Sequence, residues 1–232
     1  MHFHIITLFP NSFDSYLGES ILKRAIEDKK LKVSFYNPRD YAEDKWARVD
    51  RPPYAGGPGM VIQAEPVIRA ITKAIAGIKN KESGIKIIFL SPNGKQFDNA
   101  YAKKVAKKYK DIIIVSGRYE GIDARVKKVF KMEDVSVGPF VLTGGEIPAM
   151  LMIDVIARQV PGVLGNLDSL EESRTASPDV YTRPESFTYK GKKYSVTKVL
   201  LSGNHAKIEE WKKKKKGVIT LIDQSRLPRD AL

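Results

Sequence analysis

Hydrophobic residues recur along the chain with two different spacings, and the two alternate. Alternating or continuous apolar runs predict strands at 2–9, 32–37, 85–91 and 111–117. Apolar residues spaced about 3.6 positions apart predict helices at 12–30, 64–78, 99–109, 122–130 and 146–158. Two of the apolar runs are nearly continuous, as expected of strands covered on both faces. The alternation predicts an α/β fold with a mainly parallel sheet and helices on both of its faces.

The helical spacing also predicts which side of two helices faces the core. In the helix at 12–30 the apolar face comprises Phe13, Leu17, Ile21 and Ala25. In the helix at 64–78 it comprises Val67, Ile71, Ala74 and Ile78. Each set follows the spacing of one face of an amphipathic helix, so we expect all of these side chains to be buried.

The composition of the chain changes after Pro161. Residues 162–177 are polar and rich in Gly, Ser and Pro, which indicates a flexible linker. Residues 178–232 are predicted to form a small, mostly helical domain, with a capped helix at 202–216 that ends in five lysines. We therefore expect a main domain over 1–161 and a second domain joined to it by the linker.

The net charge of +13 and the pI of about 9.7 favour polyanionic partners such as nucleic acid. The chain has no cysteine, so disulfides and thiolate zinc sites are excluded. The longest apolar segment, 147–164, contains Asp154 and Arg158 and is predicted to be a buried helix instead of a membrane span. The opening residues have too short an apolar run for a signal peptide, so we expect a cytoplasmic protein.

Familiar catalytic and cofactor motifs are missing from the sequence. It contains no P-loop, no dinucleotide-binding glycine motif and no nucleophile elbow. The three histidines and the acidic residues show no metal-site spacing, so we expect no bound metal. His205 suits a surface or helix-cap position better than a catalytic base. These observations argue against nucleoside triphosphatases, dinucleotide oxidoreductases, zinc enzymes and serine hydrolases.

Three stretches rich in glycine, proline or small polar residues follow predicted strands, at 90–95, 116–123 and 135–158. Ligands of parallel α/β sheets bind in such loops, beyond the carboxyl ends of the strands. The glycines of interest are Gly117, Gly138, Gly144 and Gly145. They would let backbone groups approach a ligand, and the apolar residues around them suit a nucleoside with an apolar appendage. The alternative is that they serve only tight turns and helix packing, and the sequence does not separate the two.

Several longer motifs carry a specific resemblance. They include GRYEGID (117–123), VGPFVLTGGEIPAM (137–150), VPGVLGN (160–166), YTRPE (181–185) and LLSGNHAKIEEW (200–211). In order and spacing these motifs resemble the bacterial tRNA (guanine-N1)-methyltransferases, which are SPOUT methyltransferases, over nearly the whole chain. The resemblance implies transfer of a methyl group from S-adenosylmethionine to N1 of guanosine at tRNA position 37. It also implies a deep trefoil knot in the main domain and a homodimer with its active site at the subunit interface.

The resemblance assigns binding roles to residues by motif. It implies a cofactor pocket formed by Leu90, Ser91, Pro92, Gly117, Tyr119, Glu120, Val137, Gly138, Pro139, Phe140, Val141, Leu142, Gly144, Gly145 and Pro148. It implies contacts to the tRNA substrate at Pro58, Gly59, Arg183 and His205. The second domain would hold the anticodon arm. Whether magnesium assists the reaction, as the family suggests, stays open from the sequence.

Methylation of N1 requires removal of its proton, and the resemblance implies a carboxylate base in the segment after the knot. Glu172 is the best match there, but the family usually has aspartate, and Glu171 and Asp168 stay alternatives. Arg158 matches an arginine that stabilises the negative charge growing on guanine O6. The departure at Glu172 keeps a rival interpretation open, an RNA-binding protein on the same scaffold that has lost methyl transfer.

Overall fold

The structure is a computed structural model in which residues 1–79, 84–165 and 179–216 are described, with side chains described as far as residue 213. These residues belong to two compact units, one containing 1–165 and the other 179–216. The predicted flexible linker lies mostly outside the described residues.

The first unit alternates strands and helices along the chain. Its strands are β1 (His2–Ile6), β2 (Lys32–Tyr36), β3 (Asp50–Arg51), β4 (Val61–Ile62), β5 (Ile85–Gln96), β6 (Asp111–Val115) and β7 (Glu133–Ser136). Its α-helices are α1 (Asp14–Leu17), α2 (Ser20–Glu27), α3 (Ala64–Ala76), α4 (Asn99–Lys108), α5 (Arg125–Val129) and α6 (Glu146–Ala157). Two short 3-10 helices, Pro10–Phe13 and Pro38–Tyr41, begin at prolines. The fixed φ of proline suits the first turn of a helix.

Five strands form one parallel sheet in the order β2-β1-β6-β5-β7. A separate antiparallel pair is formed by β3 and β4. The predicted α/β fold with a parallel sheet is thereby confirmed. Because all five strands run the same way, their carboxyl ends meet at one edge of the sheet, which is where such folds bind ligands. Their amino ends meet at the opposite edge.

Side chains from the two faces of the sheet enter two separate hydrophobic cores. Along β6, Ile112 and Ile114 enter the core that includes residues of α4 and α6. The intervening Ile113 and Val115 enter the core that includes residues of α3. This alternation follows from the two-residue period of a strand. It explains why the sequence of β6 is continuously apolar, since both faces of the strand are covered.

One predicted helix face is confirmed, and the other is wrong at one position. The face predicted for α3 is buried at all four positions: Val67, Ile71, Ala74 and Ile78. The helix predicted at 12–30 is broken, because α1 ends at Leu17 and α2 begins at Ser20, which has a φ of 51°. The break shifts the helical register, so that Leu22 enters the core and Ile21 is exposed.

The strand predicted to end near residue 91 continues to Gln96. The segment 90–95 is therefore more than the simple loop that its composition predicted. Leu90 and Lys95 both pair with Val135 of β7, so the residues between them form an outward excursion of the strand. This excursion lies at the carboxyl end of the sheet.

The second unit contains a β-hairpin that the sequence prediction missed. Its strands β8 (Ser186–Tyr189) and β9 (Lys192–Ser195) pair antiparallel. Two helices follow, α7 (Lys198–Leu201) and α8 (His205–Lys216). The latter is capped as predicted, since the Asn204 side chain accepts a hydrogen bond from the Lys207 amide at 3.1 Å. Among the described residues of both units, no helix is long and apolar enough to cross a membrane.

Candidate active site

A cavity of about 460 Å³ opens at the carboxyl ends of β5, β6 and β7. This volume falls within the range of small-molecule sites. Three stretches of chain form its walls, 89–93, 117–127 and 135–148. The structure brings the residues of the predicted cofactor set together here, and all of them except Pro139 line the cavity. Further lining residues that sequence reasoning missed include Asn93, Arg118, Ile122, Lys127 and Thr143.

The second and third walls are bonded directly to each other. The Gly145 amide donates to the Gly117 carbonyl at 2.9 Å, and the Ser116 hydroxyl donates to the Gly145 carbonyl at 3.2 Å. Arg118 and Gly144 form a further antiparallel bridge. The turn that enters α6 is therefore fixed against the end of β6.

Close packing explains two of the glycines in this turn. A Cβ at Gly145 would lie 2.6 Å from the Ser116 Cα, which is a backbone atom that cannot move aside alone. A Cβ at Gly144 would lie 2.3 Å from Arg118 Nε. Contacts this short force something to move: at Gly145 that is backbone, so this position requires glycine, whereas at Gly144 it is the Arg118 side chain. Close packing, one of the two explanations that the sequence left open, therefore accounts for the lack of a side chain at both positions.

The other two glycines of interest differ from each other. A Cβ at Gly138 would lie 2.2 Å from the Phe140 ring, so packing also explains this glycine. A Cβ at Gly117 would meet only the Ile122 side chain, at an ordinary contact distance of 3.6 Å. At the other three positions a side chain would collide with a neighbouring part of the protein. At Gly117 it would extend into the cavity, so this glycine keeps space open there.

A buried ion pair joins the same two walls. Arg118 Nε lies 2.9 Å from Glu146 Oε2, although the N–H is not aimed closely enough at that oxygen for a hydrogen bond. The Thr7 hydroxyl donates to the other carboxylate oxygen at 2.7 Å. Glu146 is 3% exposed, so its charge depends on these partners. The arginine also donates to the Thr143 carbonyl at 3.3 Å and lies over the Phe9 ring.

Sequence reasoning missed this pair for a physical reason. The sequence contains one indication of a role for Glu146. It is an acidic residue at the start of an apolar helix, where the helix dipole stabilises an anion. Nothing in the spacing of the chain indicates that Arg118, on the loop after a different strand, is its partner. The contact arises only when the turn before α6 folds back against β6.

Gly59, one of the predicted substrate residues, lies against Glu120 in the cavity wall. The Glu120 amide donates to the Met60 carbonyl at 3.0 Å, and a Cβ at Gly59 would lie 2.7 Å from Glu120 Oε1. Pro58, next to it, is exposed. The neighbouring Tyr119 is 52% exposed and has a φ of 60°, a conformation that costs a non-glycine residue about 1–3 kcal/mol.

Two other predicted substrate residues, Arg183 and His205, lie in the second unit. Both are exposed, the former shortly before β8 and the latter at the start of α8. The hairpin beside them carries exposed aromatic and basic side chains. Phe187 stacks on Tyr194 with ring centroids 5.5 Å apart, and Lys192 lies over the ring of Tyr194.

Among the described residues, the predicted catalytic arginine, Arg158, does not line the cavity. Arg158 directly follows Ala157, the last residue of α6. At 1.5 Å per residue, the helix separates it from Gly145, beside the cavity, by about 20 Å. The three candidate bases, Glu172, Glu171 and Asp168, lie outside the described residues.

A separate cluster of ionisable groups lies at the amino end of the sheet. His2, His4 and Asp111 bring one potential ligand atom each within 4.8 Å of one another. Sequence spacing predicted no metal-ligand cluster, because Asp111 is far from the histidines along the chain. The parallel pairing of β1 with β6 removes that separation. Strand pairing therefore brings together three side chains of the types that bind metal ions, and the expectation of no bound metal stays a prediction.

Fold and cavity together define the class: an α/β protein with a cavity of small-molecule size at the carboxyl edge of a parallel sheet. Over residues 1–228 the sequence matches the family described as tRNA (Guanine-1)-methyltransferase TrmD. The chain belongs to this family, and the resemblance inferred from its motifs is confirmed.

Similar relatives carry the name tRNA (guanine-N(1)-)-methyltransferase. One from Campylobacter jejuni subsp. doylei is 43% identical over 91% of this chain and 90% of its own length. One from Geobacter sulfurreducens is 44% identical over 93% of this chain and 86% of its own length. One from Clostridioides difficile is 42% identical over 95% of this chain and 94% of its own length.

Proposed function

We propose that this protein transfers a methyl group from S-adenosylmethionine to N1 of guanosine at tRNA position 37, next to the anticodon. The observation that carries the proposal is that residues matched to the family's cofactor motifs, spread over three stretches of sequence, line a single cavity. The name shared by the relatives supports the reaction and the tRNA substrate. The net charge of +13 suits a polyanionic substrate.

The cavity suits S-adenosylmethionine in both size and surface. Apolar side chains such as Leu90, Val137 and Leu142 offer contacts for an adenine ring, and backbone groups near Gly117 offer hydrogen bonds to polar atoms. When bound, S-adenosylmethionine supplies an electrophilic methyl group on its sulfonium. The three walls would hold it in one orientation and exclude water from the methyl group.

The proposal includes the deep trefoil knot of the SPOUT fold. Two contacts support it. The turn before α6 bonds to the chain just after β6, as in the Gly145–Gly117 hydrogen bond. Between them in sequence, β7 pairs with β5 on the side away from β6. The chain that carries the third wall therefore returns across the sheet after pairing at its edge.

A homodimer is also part of the proposal, and the surface of α6 supports it. Met152 and Ile153 are fully buried, yet Ile147 and Leu151 on the same helix are 59% and 39% exposed. Val141 in the adjoining wall is 82% exposed. Exposed apolar side chains grouped in this way mark an interaction surface. A second copy of the chain covering α6 would also bring the Arg158 of one subunit toward the cavity of the other.

In the proposed chemistry, protein groups act on the guanine. A carboxylate at Glu172, or at Glu171 or Asp168, takes the N1 proton as the methyl group is transferred. The Arg158 guanidinium stabilises the negative charge that grows on O6. Both groups would be supplied to a cavity whose walls hold the methyl donor, so that the two reactants are fixed relative to each other.

The second unit is proposed to bind the anticodon arm. Its hairpin combines exposed aromatic rings, including Phe187 and Tyr189, with lysines such as Lys190 and Lys192. Lysines bind the phosphate backbone and aromatic rings stack on unpaired bases. Arg183 and His205 are the predicted contacts within this unit.

A methyl-transfer assay tests the proposed function. The full chain is incubated with S-adenosylmethionine and a tRNA transcript carrying guanosine at position 37, and nucleosides are identified by mass spectrometry. We expect N1-methylguanosine, and none with a matched transcript carrying adenosine at position 37. Parallel reactions with and without magnesium determine whether that ion assists. Binding of tRNA without methylation under saturating methyl donor would instead support the RNA-binding alternative.

Subunit mixing tests whether Arg158 acts in the cavity of the partner. Gly117→Leu fills the cavity, and Arg158→Met removes the guanidinium, so each homodimer should lose activity by about 100-fold or more. After unfolding and refolding the two together, heterodimers would contain one intact site. We expect about one quarter of wild-type activity to return. No recovery of activity would show either that Arg158 acts in the cavity of its own subunit or that no dimer forms. The mass of the protein in solution distinguishes these two outcomes.

Single substitutions identify the base. Glu172→Gln should lower turnover by about 100-fold or more while S-adenosylmethionine binding, measured by calorimetry, is unchanged. Glu171→Gln and Asp168→Asn in the same segment serve as matched controls and should retain most of the activity. If one of these two is inactive and Glu172→Gln is active, the base is reassigned to that residue.

A further inference from the structure

The histidine site, formed by His2, His4 and Asp111, is outside the proposed methyltransferase machinery. The cavity lies at the carboxyl end of β6, whereas Asp111 is the first residue of that strand. At about 3.3 Å per residue, β6 separates the histidine site from the cavity by roughly 15 Å. A role for the site therefore needs an explanation of its own.

Strand register brings these three side chains together. In the parallel pair of β1 and β6, His2 lies opposite Asp111. His4 follows two residues later on β1, so it projects from the same face of the sheet as His2. The two imidazole rings are close, with centroids 3.8 Å apart. Because both strands are regular and central in the sheet, these positions are fixed by the fold itself.

The distances match those of ligands around one metal ion. His4 Nε2 lies 3.1 Å from Asp111 Oδ1, and His2 Nδ1 lies 3.6 Å from the same oxygen. Ligand atoms bound tetrahedrally to zinc at 2.0–2.1 Å are about 3.3 Å from each other. Small side-chain movements would therefore place one nitrogen from each ring and one carboxylate oxygen around a common ion.

The remaining nitrogen of each ring has a hydroxyl partner on β2. His2 Nε2 lies 2.9 Å from Ser34 Oγ, and His4 Nδ1 lies 3.2 Å from the Tyr36 hydroxyl. In metal sites, the ring nitrogen that does not bind the metal usually donates its hydrogen to such a partner, which fixes the tautomer. Here the hydroxyl oxygens would accept from those nitrogens, leaving the lone pairs of His2 Nδ1 and His4 Nε2 for the ion.

The site is also accessible to an ion from solvent. His4 is 1% exposed, but the side chain of His2 is 22% exposed, which leaves a route for an ion.

We propose that the histidine site binds one zinc ion through His2 Nδ1, His4 Nε2 and Asp111 Oδ1, with water completing the coordination. The two imidazole nitrogens are borderline ligands, and they favour zinc over magnesium or calcium, which bind oxygen atoms. The ion would link β1 to β6, two neighbouring interior strands of the order β2-β1-β6-β5-β7. Because the unfolded chain does not hold these groups together, zinc binding stabilises the folded protein.

Calorimetry of the full chain tests the proposal without any assay of methyl transfer. Protein freed of metal with a chelator is titrated with zinc chloride, and the expected result is one ion per chain. Zinc is also expected to raise the melting temperature, and the chelator to reverse the increase. Magnesium chloride in place of zinc should produce neither effect at the same concentration. The absence of cysteine from the sequence removes thiols as competing ligands.

Two variants locate the ion, and a third is their matched control. His2→Asn removes a ligand at a partly exposed position, and Asp111→Asn removes the carboxylate while keeping its shape. Both should lose the one-to-one binding. His205→Asn removes the remaining histidine of the chain and should bind zinc as the wild type does. Circular dichroism in chelator establishes that each variant is folded at the temperature of the titration.

A positioning residue gives a finer test. Tyr36→Phe removes the hydroxyl partner of His4 Nδ1 and keeps the ring, so zinc affinity should fall by about 10- to 100-fold without being lost. No one-to-one binding by the wild type would overturn the proposal. So would binding that survives in His2→Asn and Asp111→Asn, or that is lost in His205→Asn.

Discussion

The two ends of the parallel sheet are built in opposite ways. At the amino end, β1 and β6 pair residue by residue, and side chains from regular strands, such as His4 and Asp111, meet directly. At the carboxyl end the ladder between β5 and β7 is interrupted. The chain leaves β5 after Leu90, and the segment after β7 turns back against Gly117. One end presents converging side chains, and the other presents backbone groups around an open space.

The two ends of the sheet differ because each suits a different kind of contact. A regular ladder sets side chains at short, fixed separations, which suits contacts between a few atoms. A ligand of nucleoside size needs a concave surface, and the ladder must be interrupted to form one. Where the β5–β7 ladder is interrupted, the walls of the cavity depend on single contacts, among them the Arg118–Glu146 ion pair. We therefore expect single substitutions to have larger effects at the carboxyl end than at the amino end.

The largest expected effect is that of Arg118→Met. This substitution leaves the carboxylate of Glu146 buried, with the Thr7 hydroxyl as its described hydrogen-bond partner. Removing one partner of a buried ion pair typically costs about 3–5 kcal/mol, because the other charge is left without compensation. Urea unfolding of the two proteins at pH 7 measures the difference in the free energy of unfolding.

An exposed ion pair supplies the matched control. Arg69 on α3 pairs with Glu43, and both side chains are well exposed. Arg69→Met makes the same chemical change there and should cost no more than about 1 kcal/mol, since water stabilises the remaining charge. Equal losses from Arg118→Met and Arg69→Met would contradict the view that burial of Glu146 makes the carboxyl end sensitive.

Gly145→Ala should have the next largest effect. The added methyl group would lie 2.6 Å from the Ser116 Cα, so the turn before α6 must move away from β6. Overpacking of this kind costs about 1–3 kcal/mol, and the shift should also weaken S-adenosylmethionine binding. Gly165→Ala is the control, because a Cβ there meets nothing within 4 Å. Thermal melting compares the stability of the two variants, and calorimetry compares their binding of S-adenosylmethionine. Identical results for both variants would rule out the packing explanation.

The sequence predicted regular elements better than the contacts between them. The buried face of α3 followed directly from helical spacing, because a regular helix repeats its geometry. Periodicity failed at Ile21, where a break at Ser20 shifts the register of α2. A single left-handed residue changes which positions face the core, and nothing in the hydrophobic pattern marks it.

The cavity was predictable only in part. Motifs identified its glycine-containing walls, but they did not distinguish Gly145, which packing requires, from Gly117, which leaves space. The pairing of Arg118 with Glu146 depends on how the chain folds back after β7. The same limit applies at the amino end, where Asp111 meets two histidines through strand pairing alone. Contacts between distant segments follow from topology, which local patterns do not encode.

The smallest expected effect is at the amino end of β7, where Glu133 accepts a hydrogen bond from the Tyr101 hydroxyl at 2.9 Å and pairs with Lys86. Burial acts to raise the pKa of Glu133, but the hydrogen bonds from Lys86 and Tyr101 outweigh it and hold the pKa below its usual value of 4.5. The folded state therefore favours the charged carboxylate. Its contribution to stability is present above the unfolded pKa and is lost as the pH falls through the folded one.

Glu133→Gln removes this dependence and tests how the edge strand β7 responds to loss of a partly exposed charge. The pair is partly exposed, so the variant should be less stable than the wild type by no more than about 1 kcal/mol at pH 7. Below the usual glutamate pKa, for example at about pH 3, the wild-type carboxylate is increasingly protonated and the difference should shrink. Urea unfolding at both pH values measures it. A difference that is the same at both pH values, or larger than that caused by Arg118→Met, would show that the partly exposed Lys86–Glu133 pair matters as much as the buried Arg118–Glu146 pair.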